Sequence, residues 1–163
     1  MDIIKAFALL MIQEGGATIT NIAGDSGKLT KFGISKSAHP TVDIANLTEQ
    51  QANDIYLNDY WMPAHCNQVK PELAYILFSC AVNCGVGSAI KILQRAARVT
   101  DDGVFGPATL GASNSISIQD FAIEWNMHYQ AIIANDATQQ KFAVGWQNRI
   151  NTIMAWFKEG KLA

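Results

Sequence analysis

The chain has 163 residues, of which 49% are hydrophobic and 16% charged, which suits a globular protein with a substantial core. The formal net charge of −2 and the isoelectric point near 5.8 disfavour a nucleic-acid-binding protein, which normally carries a basic stripe. Apolar runs are all shorter than the roughly 18 to 20 residues of a membrane span, so we expect no stable membrane insertion.

The first predicted helix begins after Asp2, which can cap it, and ends at the pair Gly15 and Gly16. This places Glu14 in the last turn. Apolar residues occupy nearly every side of the helix, which predicts burial all round: Ile3, Ile4, Phe7, Leu9, Leu10, Met11 and Ile12.

The position of Glu14 suggests a chemical role. A helix C-terminus carries partial negative charge, which disfavours an ionised carboxylate and raises its pKa, and partial burial acts in the same direction. A carboxylic acid that stays protonated near neutral pH can serve as a general acid. The alternative is a solvated glutamate at a helix end.

The next stretch predicts a β-hairpin. Residues 18–22 and 29–34 form two β-like runs, joined by the turn-forming sequence A-G-D-S-G-K. In such a hairpin Asp25 and Thr30 can face Glu14, so that the aspartate activates a water molecule and the threonine hydroxyl holds it. Each also has an ordinary explanation, as a turn residue and a strand residue.

Capping and breaking residues mark the remaining helices. Their predicted starts are Thr48, Pro71, Ser88, Pro107, Ser117 and Ala137. The helix from Pro71 is mostly apolar, and we expect it to be the central core helix. The last helix, 137–158, carries an apolar stripe of Phe142, Trp146, Ile150, Ile153, Met154 and Phe157.

Three cysteines give no even disulfide framework. Cys80 and Cys84 lie four residues apart on a predicted helix and, with His65 and Cys66, raise the possibility of zinc. Their spacing matches no usual ligand pattern, and free cysteine is commonly buried. We expect no metal and no cofactor.

Several motifs together resemble one known family. The sequence from Glu14 begins E-G-G, and the sequence from Asp25 is D-S-G-K-L-T-K-F-G-I. The second segment resembles the pattern D-x-G-G-x-T-[KN]-x-G-I of glycoside hydrolase family 108. Members of this family are peptidoglycan N-acetylmuramidases and include phage endolysins. Similar segments are Y-L-N-D-Y-W, F-S-C-A-V-N-C-G against the family's F-D-x-A-V-N-x-G, and F-A-V-G-W-Q-N-R. Lys28 departs from the pattern, because the family usually has glycine there.

The resemblance implies a mainly α, lysozyme-like α+β fold: a helical bundle with one small β-hairpin beside the active-site cleft. From the resemblance we expect a single compact unit, 1–163, in which a catalytic half, 1–92, is followed by a peptidoglycan-binding-like helical half, 93–163. The D-G-V-F-G-P-A-T segment from Asp102 is similar to a pattern of peptidoglycan-binding helical modules, and a loop-to-helix joint explains it equally well.

The implied reaction is hydrolysis of the β-1,4 bond between N-acetylmuramic acid and N-acetylglucosamine. The expected catalytic residues are Glu14, Asp25 and Thr30, and the expected substrate contacts are Lys31, Tyr60, Trp61 and Asn83. Tyr60 and Trp61 can instead be core anchors, and Arg149 is expected to pair with a buried acid. Two alternatives stay open: a wall-binding or phage or secretion assembly module with little turnover, and a lytic transglycosylase.

The expected partner is the glycan strand of peptidoglycan. The N-terminal apolar stretch lacks the features of a signal peptide, so we expect synthesis in the cytoplasm. Action on the wall, on its periplasmic side, would then depend on a holin or other release system. We expect a monomer.

Overall fold

A computed structural model of the chain describes residues 1–14, 16 and 29–163. The chain forms two compact units, an N-terminal unit of residues 2–59 and a C-terminal unit that consists of residues 60–163 and Met1. The predicted strand 18–22 and the predicted site residue Asp25 lie outside the described residues.

Helix α1, Ile3–Glu14, opens the N-terminal unit. Asp2 caps it, because its Oδ1 accepts a hydrogen bond from the Lys5 backbone N–H at 2.9 Å. Burial is confined to one side of the helix, at Ala6, Phe7 and Leu10, whereas Ile4 and Ile12 are 71% and 69% exposed. The prediction of all-round burial is therefore wrong, since apolar composition cannot show how many sides of a helix find partners.

The described hairpin lies within the second predicted β-like run. Strand β1, Thr30–Lys31, pairs antiparallel with β2, Ile34–Ser35, with Lys31 opposite Ile34. Phe32 and Gly33 form the two-residue turn, with φ of 53° and 75°. Positive φ at both turn positions is the geometry that matches the twist of a tight hairpin. Residues 29–34 are thus not one strand, as the sequence predicted, but a strand, a turn and the start of its partner.

Helix α2, Glu49–Tyr56, begins with the predicted capping box, in which Thr48 and Gln51 bond each other's backbone N–H groups. It continues as a π-helical segment, Leu57–Trp61. In the N-terminal unit α2 packs against α1, the helix that ends at Glu14.

The C-terminal unit is built around α3, Pro71–Cys84, in which every side chain from Leu73 to Ala81 is buried. The predicted central core helix is confirmed. Helix α4, Val86–Ala96, follows almost without a break, because Gly85, with φ 84°, turns the chain within one residue. The helix therefore starts two residues before the predicted Ser88.

Helix α5, Pro107–Ser113, begins with the predicted proline, and α6, Ile118–Asn135, with a capping box formed by Ser117 and Asp120. The last predicted helix divides into a 3₁₀ segment, Ala137–Phe142, and α7, Ala143–Lys158. In this unit α6 packs against α3, α4 and α7.

The apolar stripe predicted for the last helix is only partly right. Ile150 and Ile153 are buried, but Phe142 is 45% exposed and Trp156, which was not expected in the stripe, is buried. The change of helix type at Phe142 explains the difference, because the turn angle per residue in a 3₁₀ helix is larger than in an α-helix and shifts the inward side.

A mainly helical architecture with one small two-stranded antiparallel sheet confirms the predicted fold class. No helix among the described residues is long and apolar enough to cross a membrane. The predicted boundary near residue 92 lies inside α4, and the division into halves 1–92 and 93–163 stays a prediction.

Candidate active site

Glu14 is the last residue of α1, and its side chain is half-buried. The helix ends just beyond it, where Gly16, with φ 69°, donates its backbone N–H to the carbonyl oxygen of Met11 at 2.8 Å. A helix commonly ends at a left-handed residue whose backbone N–H bonds to a carbonyl oxygen of the last turn. The position predicted for Glu14 is confirmed.

The side chain of Glu14 lies against the turn of the hairpin. A Cβ atom at Gly33 would be 3.6 Å from the Glu14 Cβ and 3.7 Å from its Cγ, which is ordinary van der Waals contact. The N-terminal unit thus brings the carboxylate of α1 next to the β1–β2 turn. The sequence predicted that a hairpin would face Glu14, and in the structure Gly33 is the turn residue beside it, close enough that an added Cβ would contact the Glu14 side chain.

Tyr56 fixes this turn. Its hydroxyl donates a hydrogen bond to the Phe32 carbonyl oxygen at 2.9 Å, and it lies 2.6 Å from where a Cβ of residue 33 would be. The Tyr56 ring packs on Phe7 of α1, with centroids 5.7 Å apart. Tyr56 is 3% exposed, so its hydroxyl acts from inside the core. Sequence reasoning missed this role of Tyr56, because the sequence around a buried tyrosine does not indicate which distant carbonyl oxygen its hydroxyl will bond.

Thr30 and Lys31 form β1 and are half-buried. The Lys31 Nζ donates to the Ala45 carbonyl oxygen at 3.4 Å and lies 5.6 Å from the centroid of the Phe32 ring. Lys36 likewise donates to the Val42 carbonyl oxygen, at 2.8 Å. Both lysines therefore hold the loop after the hairpin, while their predicted contribution to substrate binding stays a prediction.

The other predicted substrate contacts belong to the C-terminal unit. Trp61 is 3% exposed and meets Phe78 edge-on, with centroids 5.4 Å apart, which is a core position. Tyr60 is half-buried and Asn83 is exposed. The Oδ1 of Asn83 accepts a hydrogen bond of 2.6 Å from the Tyr129 hydroxyl. Asn83 therefore combines an exposed position with a fixed amide orientation.

Arg149 was expected to pair with a buried acid. Its Nη1 donates a hydrogen bond to the hydroxyl of Ser79, at 3.4 Å, and the pairing with an acid stays a prediction. Ser79 is fully buried and stands where the resembling pattern F-D-x-A-V-N has aspartate. The arginine thus meets a neutral hydroxyl at the position where that pattern would supply a carboxylate.

Among the described residues, no group of three histidine, cysteine, aspartate or glutamate side chains is placed to bind a metal ion, and this includes the cysteines. Cys66 and Cys80 are buried, and burial raises the pKa of the Cys80 thiol. Cys84 is half-buried, and its pKa is lowered to about 7, first by a hydrogen bond from Cys80 and also by one from Trp125. The Trp125 Nε1 is 3.3 Å from its sulfur.

Comparisons with known proteins divide the chain into two matched segments. Residues 7–85 match a family described as Glycosyl hydrolase 108, and residues 88–151 match one described as Predicted Peptidoglycan domain. The fold is similar to the solved structure of SagA from Brucella abortus, with a TM-score of 0.75 and 24% sequence identity over 94% of this chain and 91% of that chain. No curated protein gave a match.

The two matched segments together support a lysozyme-like function in peptidoglycan hydrolysis. Residues 7–85, just under half of the chain, carry the likeness to glycoside hydrolase family 108, and residues 88–151 carry the likeness to a peptidoglycan domain. The family resemblance predicted from the motifs is confirmed.

Proposed function

We propose that the protein is an N-acetylmuramidase that hydrolyses the β-1,4 bond between N-acetylmuramic acid and N-acetylglucosamine, with Glu14 as the general acid. The observation that carries this proposal is the placement of Glu14 at the end of α1 against Gly33 of the β1–β2 turn, within the segment matched to family 108. A half-buried carboxylate at a helix end, beside a fixed turn, can be oriented toward a bound glycan.

In the proposed reaction the Glu14 carboxylic acid donates its proton to the glycosidic oxygen as the bond from that oxygen to the sugar C1 breaks. A water oxygen bonds to C1, and the proton it loses passes to a second carboxylate. Catalysis by a positioned acid depends on its geometry before its acidity. Tyr56, through its bond to the Phe32 carbonyl oxygen, is a positioning residue for the turn that Glu14 contacts.

We assign the second carboxylate to Asp25 and the hydroxyl that holds the water to Thr30. Asp25 lies outside the described residues, so its assignment rests on the D-S-G-K-L-T motif. A separation of about 6.5–9.5 Å between the two carboxyl groups would give inversion at C1, and about 5–5.5 Å would give retention through direct attack.

Lys31, Tyr60 and Asn83 complete the proposal as substrate contacts, with Asn83 the best placed by its exposure and its fixed amide. Trp61 stays a predicted contact despite its core position. We further propose that the protein acts as an endolysin that reaches the wall through a holin or other release system.

The sugar ends released from purified peptidoglycan test this function. We expect mass spectrometry of the products to show reducing N-acetylmuramic acid ends, because water supplies the oxygen at C1. Anhydro ends would instead identify a lytic transglycosylase. A folded chain that releases no sugar while still binding peptidoglycan would identify a wall-binding module.

A further inference from the structure

A cavity lies between α6 and α7, wholly within the C-terminal unit. Its volume of about 310 Å³ is at the lower end of the range for small-ligand pockets. It is lined by Asn126, Tyr129, Gln130, Ile133, Trp146 and Gln147, with two small residues of α7. All of these belong to the segment matched to the peptidoglycan domain.

Two stacked aromatic rings form one wall. The Trp146 and Tyr129 rings are 4.5 Å apart and within 5° of parallel, and Trp146 remains half-buried rather than buried. Tyr129 is 3% exposed, and its hydroxyl donates a hydrogen bond to Asn83 Oδ1. The ring on which Trp146 stacks is therefore fixed in place. The C–H faces of a pyranose ring are apolar and pack well on such a rigid aromatic surface.

The polar groups of the lining are carboxamides. Asn126, Gln130 and Gln147 each carry one acceptor oxygen and two donor hydrogens, which suits hydroxyl and acetamido groups. None of the described residues that line the cavity carries a charge. This favours a neutral ligand over a phosphate or a nucleic acid, which would require cationic side chains.

We propose that this cavity binds a neutral N-acetylated sugar of a glycan strand. The inference rests on the proposed function, since a glycan hydrolase gains from a second contact with the same polymer. Attachment at one site raises the local concentration of glycan at the other by tethering. The half-buried Trp146 ring, backed by Tyr129, supplies the stacking surface, and hydrogen bonds from the carboxamides orient the sugar.

The test is binding of a peptide-free probe, the tetramer of β-1,4-linked N-acetylglucosamine, measured by calorimetry in the full-length chain carrying Glu14→Gln. We expect Trp146→Ala to weaken binding by about tenfold or more, as for a central aromatic contact. Ile123→Ala is the matched control, because Ile123 is 59% exposed on α6 and does not line the cavity. It should bind as the parent chain does.

If Trp146→Ala fails to fold, Gln130→Ala and Gln147→Ala test the binding of the sugar instead. Both glutamines are exposed, and neither variant changes the stacked rings. We expect each to weaken binding severalfold with an unchanged melting temperature. Unchanged binding in a folded Trp146→Ala chain, or in both glutamine variants, would overturn the proposal. So would a parent chain that ignores the tetramer and binds only peptidoglycan with peptide stems. Since the readout is binding, failure here leaves the hydrolysis result untouched.

Discussion

Gly33 is the turn residue that lies beside the Glu14 side chain. Its φ of 75° is in the left-handed region, and a Cβ there would meet the Tyr56 hydroxyl at 2.6 Å. We expect Gly33→Ala to lower the free energy of unfolding by more than the about 1–2 kcal/mol of left-handed strain, because the hydroxyl must also move away from the Phe32 carbonyl oxygen. Urea unfolding measures the loss.

Gly160→Ala is the control for that measurement. Gly160 has a similar φ of 71°, and apart from its chain neighbours no described residue lies within 4 Å of where its Cβ would be. This variant therefore carries the strain without the clash. Equal losses in the two variants would show that Tyr56 moves at no cost and does not hold the turn.

Cys84 gives a prediction for pH. Its thiol has a pKa lowered to about 7 by the hydrogen bond from Cys80 and further donors, whereas burial raises the pKa of Cys66 and Cys80. The thiolate is the reactive form, so about a tenth of Cys84 is reactive at pH 6 and about nine-tenths at pH 8. We expect iodoacetamide to label Cys84 first, with a rate that rises and levels off across this interval.

Peptide mass spectrometry after timed labelling locates the modified cysteine. Trp125→Phe should shift the midpoint of the rate upward, because it removes one hydrogen bond to the sulfur. A midpoint near the ordinary thiol pKa of 9.0 in the wild-type chain would contradict the assignment.

The limits of sequence reasoning show clearly in these residues. Glu14 could be placed at a helix end because two consecutive glycines stop a helix wherever it lies. Gly33 and Tyr56 could not be paired, because their contact depends on a turn within a run of strand-forming residues. The pattern of alternating residues does not reveal where such a run reverses direction.

At the scale of elements, the loop between α4 and α5 depends on one buried side chain, that of Gln94. Its Nε2 donates to Asp102 Oδ1 at 2.8 Å, to the Val104 carbonyl oxygen at 3.0 Å and to Thr109 Oγ1 at 3.1 Å. Its Oε1 accepts from the Gly103 backbone N–H at 2.8 Å. The D-G-V-F-G-P-A-T motif therefore has a structural role as a loop-to-helix joint.

We expect Gln94→Leu to destabilise the C-terminal unit by about 3 kcal/mol or more, because it removes four hydrogen bonds of a buried side chain at once and leaves the buried Thr109 hydroxyl without this partner. The measurement is thermal unfolding followed by circular dichroism. Gln139→Leu is the control, since its side chain bonds to two near neighbours, Asp136 and Thr138, at the start of the 3₁₀ segment. Similar melting temperatures for the two variants would show that Gln94 does not hold the loop.

Elements were predicted best where local chemistry decides them. The two capping boxes and the prolines at the starts of α3 and α5 act on the nearest backbone, so Thr48, Ser117, Pro71 and Pro107 marked their helices correctly. The exposed side of α1 and the 3₁₀ segment before α7 depend on neighbours distant in sequence. Hydrophobic composition alone could not predict them.

At the scale of the whole molecule, the composition and the length excluded more than they identified. They argued against a nucleic-acid binder and a membrane span, and they left the chemistry open. The extended motifs identified the family, because a glutamate, a hairpin and an aromatic segment in a fixed order are far more specific than any one of them. The role of Asp25 cannot be judged from the described residues and stays a prediction.

The central claim is that Glu14 supplies the proton for glycosidic cleavage, and the most direct measurement compares hydrolysis of purified peptidoglycan by the wild-type chain, Glu14→Gln and Glu159→Gln. Glu159 is an exposed carboxylate of the C-terminal unit, paired with Lys161 at 2.7 Å, so its replacement makes the same chemical change elsewhere. We expect Glu14→Gln to keep its fold and lose about 10²–10⁴-fold in rate, because the amide has no transferable proton, while Glu159→Gln keeps wild-type activity. A folded Glu14→Gln chain as active as the wild type would contradict the account.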